Sequence, residues 1–254
     1  MKMILRYLAV PIILLTASLG FAQNTVWSGT VTLDSSYTIP AGDTLTIDPG
    51  TWVQLASGVS ITADGVMKAV GTASQRISFT STGSWGSIVF SDSGADNSIM
   101  DYCNVYYGTE IELSYANNVT IENSSIMNSS SYGIYVYFSS DFVAQSDSIA
   151  NSNVYHGIII TGGSSNNCYW NVTYKTNKNQ QGAGILYSGS SGTVGGNDVD
   201  YYNWGIAAIW GASPNADEYP LTKNNRVDSC QLGLNVYYNS YCDFGVGGAS
   251  GNYS

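Results

Sequence analysis

Three observations predict an all-β fold, a single-stranded parallel β-helix (solenoid) of roughly nine coils. A glycine-marked repeat recurs along the chain, short runs alternate apolar and polar residues, and helical periodicity is absent after residue 22. The repeat is carried by Trp85–Phe90, Tyr107–Glu112, Tyr132–Tyr137, His156–Thr161, Ala183–Ser188, Trp204–Ile209 and Leu232–Tyr237. Each opens on a large or apolar residue, then Gly, then an alternating run, with Gly-to-Gly steps of 22, 25, 24, 27, 21 and 28.

Other short runs lie between these. Val119–Ile121 precedes Ser125–Asn128, and Phe142–Val143 precedes Ser148–Asn151. Polar turns at Asn117–Asn118, Ser139–Asp141 and Ser164–Asn167 separate them, so each period holds about three strands and three turns. A strand places alternate side chains in and out. Stacked coils pair each strand in parallel with its equivalents above and below and bury the inward column. Gly serves where the backbone bends with positive φ or approaches the next coil closely, and Asn and Asp serve the same turns. Nine coils span about 43 Å at the ~4.8 Å strand spacing.

Residues 1–22 read as a secretory signal peptide. Lys2 and Arg6 form a positive start, Leu8–Leu15 an apolar run, and Gly20–Ala22 a cleavage site. No later stretch is long and apolar enough to span a bilayer. The remaining chain divides into N-terminal coils at 23–82 and repeat coils at 83–254. It carries eighteen acidic residues against six basic ones (Lys68, Arg76, Lys175, Lys178, Lys223 and Arg226), a net charge of −12. That sign disfavours nucleic acid, whose binding needs clustered Lys and Arg. Abundant Gly (28), Tyr (20) and Asn (22) give a polar surface with few charges, suited to neutral extracellular partners such as glycans. Cys103, Cys168, Cys230 and Cys242 allow three disulfide pairings. None has zinc-site spacing, and the simplest reading makes them small buried hydrophobes.

Trp27–Val31, Ile39–Ile47, Pro49–Thr51, Gly65–Thr72, Arg76–Thr80 and Trp85–Phe90 carry a family resemblance. The chain resembles bacterial secreted proteins with right-handed parallel β-helix repeats, the architecture shared with pectate lyases and polygalacturonases. The likeness covers nearly all of residues 25–245 and implies a right-handed solenoid. It does not imply one activity, because this architecture hosts lyases, hydrolases and adhesins. The polygalacturonase elements Asn-Thr-Asp, paired Asp and Arg-Ile-Lys are missing, so their catalytic residues do not carry over. Relatives often continue into further coils and a sorting domain. This sequence stops just after a coil, and truncation at the C-terminus is the expectation.

Several residues are candidates for chemistry. A lyase needs a Lys or Arg base and acidic Ca²⁺ ligands. Lys175, Lys178, Asp198, Asp200, Arg226 and Asp228 are the residues available, expected in turns before successive marker glycines, where mutual ion pairing is the simpler account. No cofactor or metal is expected, and Ca²⁺ has no support beyond these side chains. The lone histidine, His156, falls in the mostly aromatic or apolar column preceding the marker glycines, where ring stacking explains it. Glu110 and Glu112 share one outward face. Alignment on the glycines places Tyr135 over Glu110 and Tyr137 over Glu112, with Ile159 and Leu186 continuing the first column. Such a patch offers flat apolar faces and carboxylate acceptors to neutral saccharides.

The reading is therefore a monomeric, secreted protein at the cell surface, in the medium or in the periplasm. It binds polysaccharide, cell-surface glycan or another surface without catalysis. A polysaccharide lyase or glycoside hydrolase is the alternative, and a stalk or passenger segment of a cell-surface protein is the third.

Overall fold

The computed structural model describes residues 22–150, 155–175, 181–215 and 225–240. The expected leader, but for its last residue, lies outside them, as do Lys178 and Cys242. The described chain forms three parallel sheets of nine strands each, in which every third strand of the sequence is a ladder neighbour. The first sheet runs from Asn24–Trp27 to Ser213–Asn215, the second from Thr30–Leu33 to Arg226–Asp228, and the third from Tyr37–Ile39 to Leu232–Val236. The expected solenoid is what the chain adopts. Among the described residues, no helix is long and apolar enough to cross a membrane.

Stacking turns sequence alternation into interior columns. In the third sheet, Ile61, Ile88, Ile111, Ile134, Ile158, Ile185 and Ile206 are successive ladder partners. Each is at most 2% exposed. β-Branched side chains suit this role because their stiff χ1 packs well on a pleated surface. The parallel column is Ala63, Phe90, Leu113, Val136, Ile160, Tyr187 and Ala208, in which size varies to fill the lumen.

The marker glycines do two different jobs. Gly133, Gly157, Gly184 and Gly205 stand one residue before their inward isoleucines, and a methyl group there would collide with the next coil. At Gly157 it would lie 2.6 Å from the Gly184 carbonyl. Close approach, not positive φ, is what these positions need. Gly108 instead belongs to a longer turn. A Cβ there would come within 2.9 Å of the ring of Trp85, which is 1% exposed and donates Nε1–H to the Tyr106 carbonyl at 2.7 Å. The strand after it starts three residues later, at Ile111.

The turns from the first sheet to the second carry a buried polar ladder. Ser124 N–H donates to Asp147 Oδ1 (2.8 Å), Asp147 N–H to Asn171 Oδ1 (3.0 Å), Asn171 N–H to Asn197 Oδ1 (2.9 Å) and Asn197 N–H to Asn225 Oδ1 (3.0 Å). The Nδ2 groups of Asn171, Asn197 and Asn225 donate to the carbonyls of Ala144, Cys168 and Val194. Asp147 has no amide to donate. Its Oδ2 is buried without a partner among the described residues, and the equivalent carbonyl is that of Ile121, the ladder partner of Ala144. Burial raises the Asp147 pKa well above its usual range. Nearby Glu122 adds to this, while N–H groups of Ser124 and Gln145 and the Arg76 charge oppose it. A proton on Oδ2 supplies the missing donor.

The native state then holds that proton more tightly than the unfolded chain. Stability is lost as pH rises from the unfolded Asp value of about 3.9 toward the higher native one. Asp147→Asn restores the amide, so it should stabilise the protein at pH 7 to 8 by about 1–3 kcal/mol and flatten this decline. Melting curves from pH 4 to 8 that coincide for both proteins would show that Asp147 is satisfied otherwise.

Candidate functional site

The outer face of the third sheet gathers most of the candidate residues. Glu112 follows inward Ile111 and precedes inward Leu113, so alternation turns it outward. Its ladder partner is Tyr135, followed by Ile159 and Leu186; in the next column Ser114 pairs with Tyr137. The glycine-based alignment is thus corrected by two residues: Tyr135 lies over Glu112, not Glu110, because the longer turn at Gly108 delays the strand. Glu110 precedes that strand, and its carbonyl accepts the Ile88 N–H at 3.2 Å. All four predicted ligand residues, Glu110, Glu112, Tyr135 and Tyr137, do share one half-buried surface.

That surface is more aromatic than the sequence pattern implied. Tyr135 lies 5.9 Å from Tyr137 and 5.4 Å from Tyr132, ring centroid to centroid. Tyr137 makes edge contacts with Tyr115 (5.5 Å) and Phe138 (4.7 Å), and Tyr115 stacks on Phe138 at 5.8 Å and 12°. Tyr115 and Phe138 are half exposed and occupy the turn residue after their strands with φ of 57° and 46°. Bulky residues rarely adopt that left-handed region. The equivalent position in the next coil is Gly162, whose Cβ, if present, would lie 2.7 Å from the Phe138 ring. Sequence reasoning missed Tyr115, Tyr132 and Phe138 as part of the patch. For Tyr115 and Phe138 the available signal was an aromatic at the turn residue closing the strand; for Tyr132 it was its place in the aromatic column before the marker glycines.

Charge is one-sided here. The Glu112 pKa is raised, first by burial and then by Glu110. The Tyr132 hydroxyl is pushed up by burial and by Glu110, and that of Tyr135 by burial, Tyr137 and Glu112. These groups are disposed to accept and donate hydrogen bonds and to lie flat against apolar faces; they hold no cationic base.

His156 closes the patch as a structural ring. It stacks on Tyr132 at 5.6 Å and 23°, and its Nδ1 accepts the Ala183 N–H at 2.8 Å. Burial and the Lys175 charge lower its pKa to about 4. Lys175 is itself buried. Its Nζ donates to the carbonyls of Tyr155 (3.3 Å) and Gln181 (2.5 Å) and lies 5.0 Å from the Tyr202 ring.

The acidic and basic candidates near the C-terminus are elsewhere. Asp198 and Asp200 lie on one strand of the second sheet, Arg226 and Asp228 on its neighbour, alternating outward around Val199 and Val227. They are strand residues and not, as expected, turn residues. Arg226 Nη1 is 2.5 Å from Asp198 and 3.5 Å from Asp200, and Nη2 is 2.7 Å from Asp228. The guanidinium is therefore engaged by three carboxylates, as mutual ion pairing required. Cys103 and Cys168 are buried free thiols, and Cys230 is a half-buried one. Burial raises the thiol pKa of Cys168 to about 12. Among the described residues, no group of three or more His, Cys, Asp or Glu is placed to hold a metal ion.

The family profile of the right-handed β-helix region matches residues 57–225. No sequence among the curated proteins matches the chain. Solved structures of similar shape include an alginate lyase from Paenibacillus sp. strain FPU-7, 17% identical, covering 76% of this chain and 93% of that one with a TM-score of 0.29. The periplasmic alginate epimerase AlgG is 10% identical over 84% and 76%, TM-score 0.29. The catalytic unit of the GH87 α-1,3-glucanase from Streptomyces thermodiastaticus strain HF3-3 is 11% identical over 89% and 70%, TM-score 0.32.

The lowered His156 pKa has a definite sign. Native His156 resists protonation, so stability falls as pH drops from the unfolded value of about 6.5 toward about 4. The loss reaches up to about 3 kcal/mol. His156→Asn keeps an acceptor near the Ala183 N–H but does not titrate. Its melting temperature should fall less than that of the wild type between pH 7 and pH 4; parallel falls would place His156 in solvent.

Proposed function

The chain belongs to the right-handed β-helix family, and on that premise we propose that it is an exported protein that binds glycan without cleaving it. Contact runs through the outer face of the third sheet. The observation that carries this reading is the continuous aromatic surface of Tyr115, Tyr132, Tyr135, Tyr137 and Phe138 beside Glu110 and Glu112. Tyrosine supplies a rigid flat face and a hydroxyl at low entropic cost, while carboxylates accept from sugar hydroxyls. Export is supported by the positive start and apolar run of residues 2–15. Two carboxylates without a neighbouring cation favour uncharged saccharides over polyuronates.

Tyr135→Ala with Tyr137→Ala should leave β-type circular dichroism unchanged and the melting temperature within a few degrees, since the core columns lie on the opposite side of the strand. Retention by neutral polysaccharide in affinity electrophoresis should weaken. A folded double variant that migrates like the wild type in every polysaccharide gel would remove the patch from binding.

The absence of cleavage is tested separately. Pectate, alginate and chondroitin should yield no unsaturated uronide with or without Ca²⁺, because Arg226 is committed to carboxylates and Lys175 is buried on carbonyls. Product that disappears on Arg226→Ala or Lys178→Ala would make the protein a lyase.

A further inference from the structure

The second sheet carries an independent feature near the N-terminal end of the described solenoid. Trp52 and Gln54 are the outward residues of the strand Trp52–Leu55, whose Val53 and Leu55 are buried. Gln54 is flanked by Thr32 one coil below and Thr80 one coil above in the same outward column. These residues, with Asp34 and Ser81, line an open cleft of about 330 Å³ with Trp52 as its aromatic wall. Trp52 is 50% exposed. The volume is at the small end of ligand clefts, which run from about 300 to 1,000 Å³.

The hydrogen-bonding capacity of this cleft is unspent. The side chains of Thr32, Asp34, Gln54 and Thr80 make no hydrogen bond within the described protein, whereas the Ser81 hydroxyl accepts the Gly83 N–H at 3.2 Å. Hydroxyls both donate and accept, an amide does so at separate atoms, and a carboxylate accepts. Around one indole face, that set matches a ring with one apolar face and hydroxyls at its rim. It offers an anion no counter-charge: the single formal charge is Asp34, and no Lys or Arg lines the cleft. Uronates and phosphates are disfavoured on the same ground.

We infer that the Trp52 cleft is a second saccharide-binding site, specific for neutral sugar units and separate from the tyrosine patch of the third sheet. The indole packs on a sugar face while Gln54, Thr32, Thr80 and Asp34 bond its hydroxyls. The two sites lie on different sheets of one solenoid, so a single protein can hold two glycan segments and gain by effective concentration when both belong to one network.

Calorimetric titration with cellohexaose, laminarihexaose and maltohexaose, and with hexagalacturonate as the acidic control, tests this. At least one neutral hexaose should bind the wild type, and hexagalacturonate should not bind at this cleft. Trp52→Ala should weaken the neutral interaction about tenfold or more, Trp52→Tyr should retain most of it, and Gln54→Leu should weaken it while leaving the melting temperature unchanged. Tyr135→Ala with Tyr137→Ala should leave one site titrating, so loss of either site is read independently of the other. The inference is overturned if no neutral hexaose binds the wild type. It is equally overturned if Gln54→Leu and folded Trp52→Ala both bind as the wild type does, or if hexagalacturonate binds in a Trp52-dependent way.

Discussion

Parallel pairing of each coil with the next is the constraint on which everything else depends. Every strand between the two ends of the described stack hydrogen bonds to equivalents on both sides, so a residue's neighbours are its counterparts one period away as well as its sequence neighbours. A side chain inside the lumen must tolerate copies of its own position above and below. The run of seven isoleucines from Ile61 to Ile206 is the repetitive solution; the Ala63-to-Ala208 column is the compensating one, where Phe90 and Tyr187 fill space left by smaller residues. The glycines from Gly133 to Gly205 follow from the same rule, because there the next coil occupies the volume a Cβ needs.

Turning the chain inside such a stack leaves backbone N–H groups facing the lumen, and they need acceptors. The ladder from Ser124 through Asp147, Asn171 and Asn197 to Asn225 supplies them with side-chain oxygens. Asparagine fits because each residue both accepts from below and donates to a carbonyl. Asp147 accepts equally well but donates only when protonated, so one substitution in a repetitive device creates a titrating site in the core. His156 is the opposite case, a base kept neutral by burial and by an N–H directed at Nδ1. The two groups lie in one coil with opposite signs. As pH rises through the acidic range the first costs stability while the second restores it, which damps the net response of this part of the solenoid.

The repeat and its three-strand period were legible because burial enforces them at every coil. Register was less so. Gly133, Gly157, Gly184, Gly205 and Gly233 stand one residue before their inward partners, but Gly86 stands two before Ile88 and Gly108 three before Ile111. Nothing in the residue types distinguishes a glycine that clears the next coil from one that clears Trp85, and turn length absorbs the difference without disturbing the strands. That is why Tyr135 was aligned with Glu110 when its partner is Glu112. The patch survived the error because alternation fixes which face a residue takes, whereas register fixes only its partner. Tyr115 and Phe138 were invisible for another reason: propensity assigns left-handed turn positions to Gly, Asn and Asp, and here tertiary packing overrides it.

The interior rules leave the exterior free, and the chain uses that freedom unevenly. On the second sheet, Arg226 is surrounded by Asp198, Asp200 and Asp228, so charge is spent within the protein. Pairs this exposed contribute little to stability, and they leave Arg226 no free charge to attract an acidic polymer. On the third sheet, aromatic rings are placed at backbone positions that disfavour them, and carboxylates lie beside them without a counter-charge. Around Trp52, hydroxyl and amide groups remain unpaired. An acidic protein that neutralises its exposed arginine and leaves neutral polar groups beside aromatic faces is matched to partners rich in hydroxyls and poor in charge. A rigid solenoid holds such surfaces at fixed spacing, so the entropy of positioning them is met on folding and not on binding.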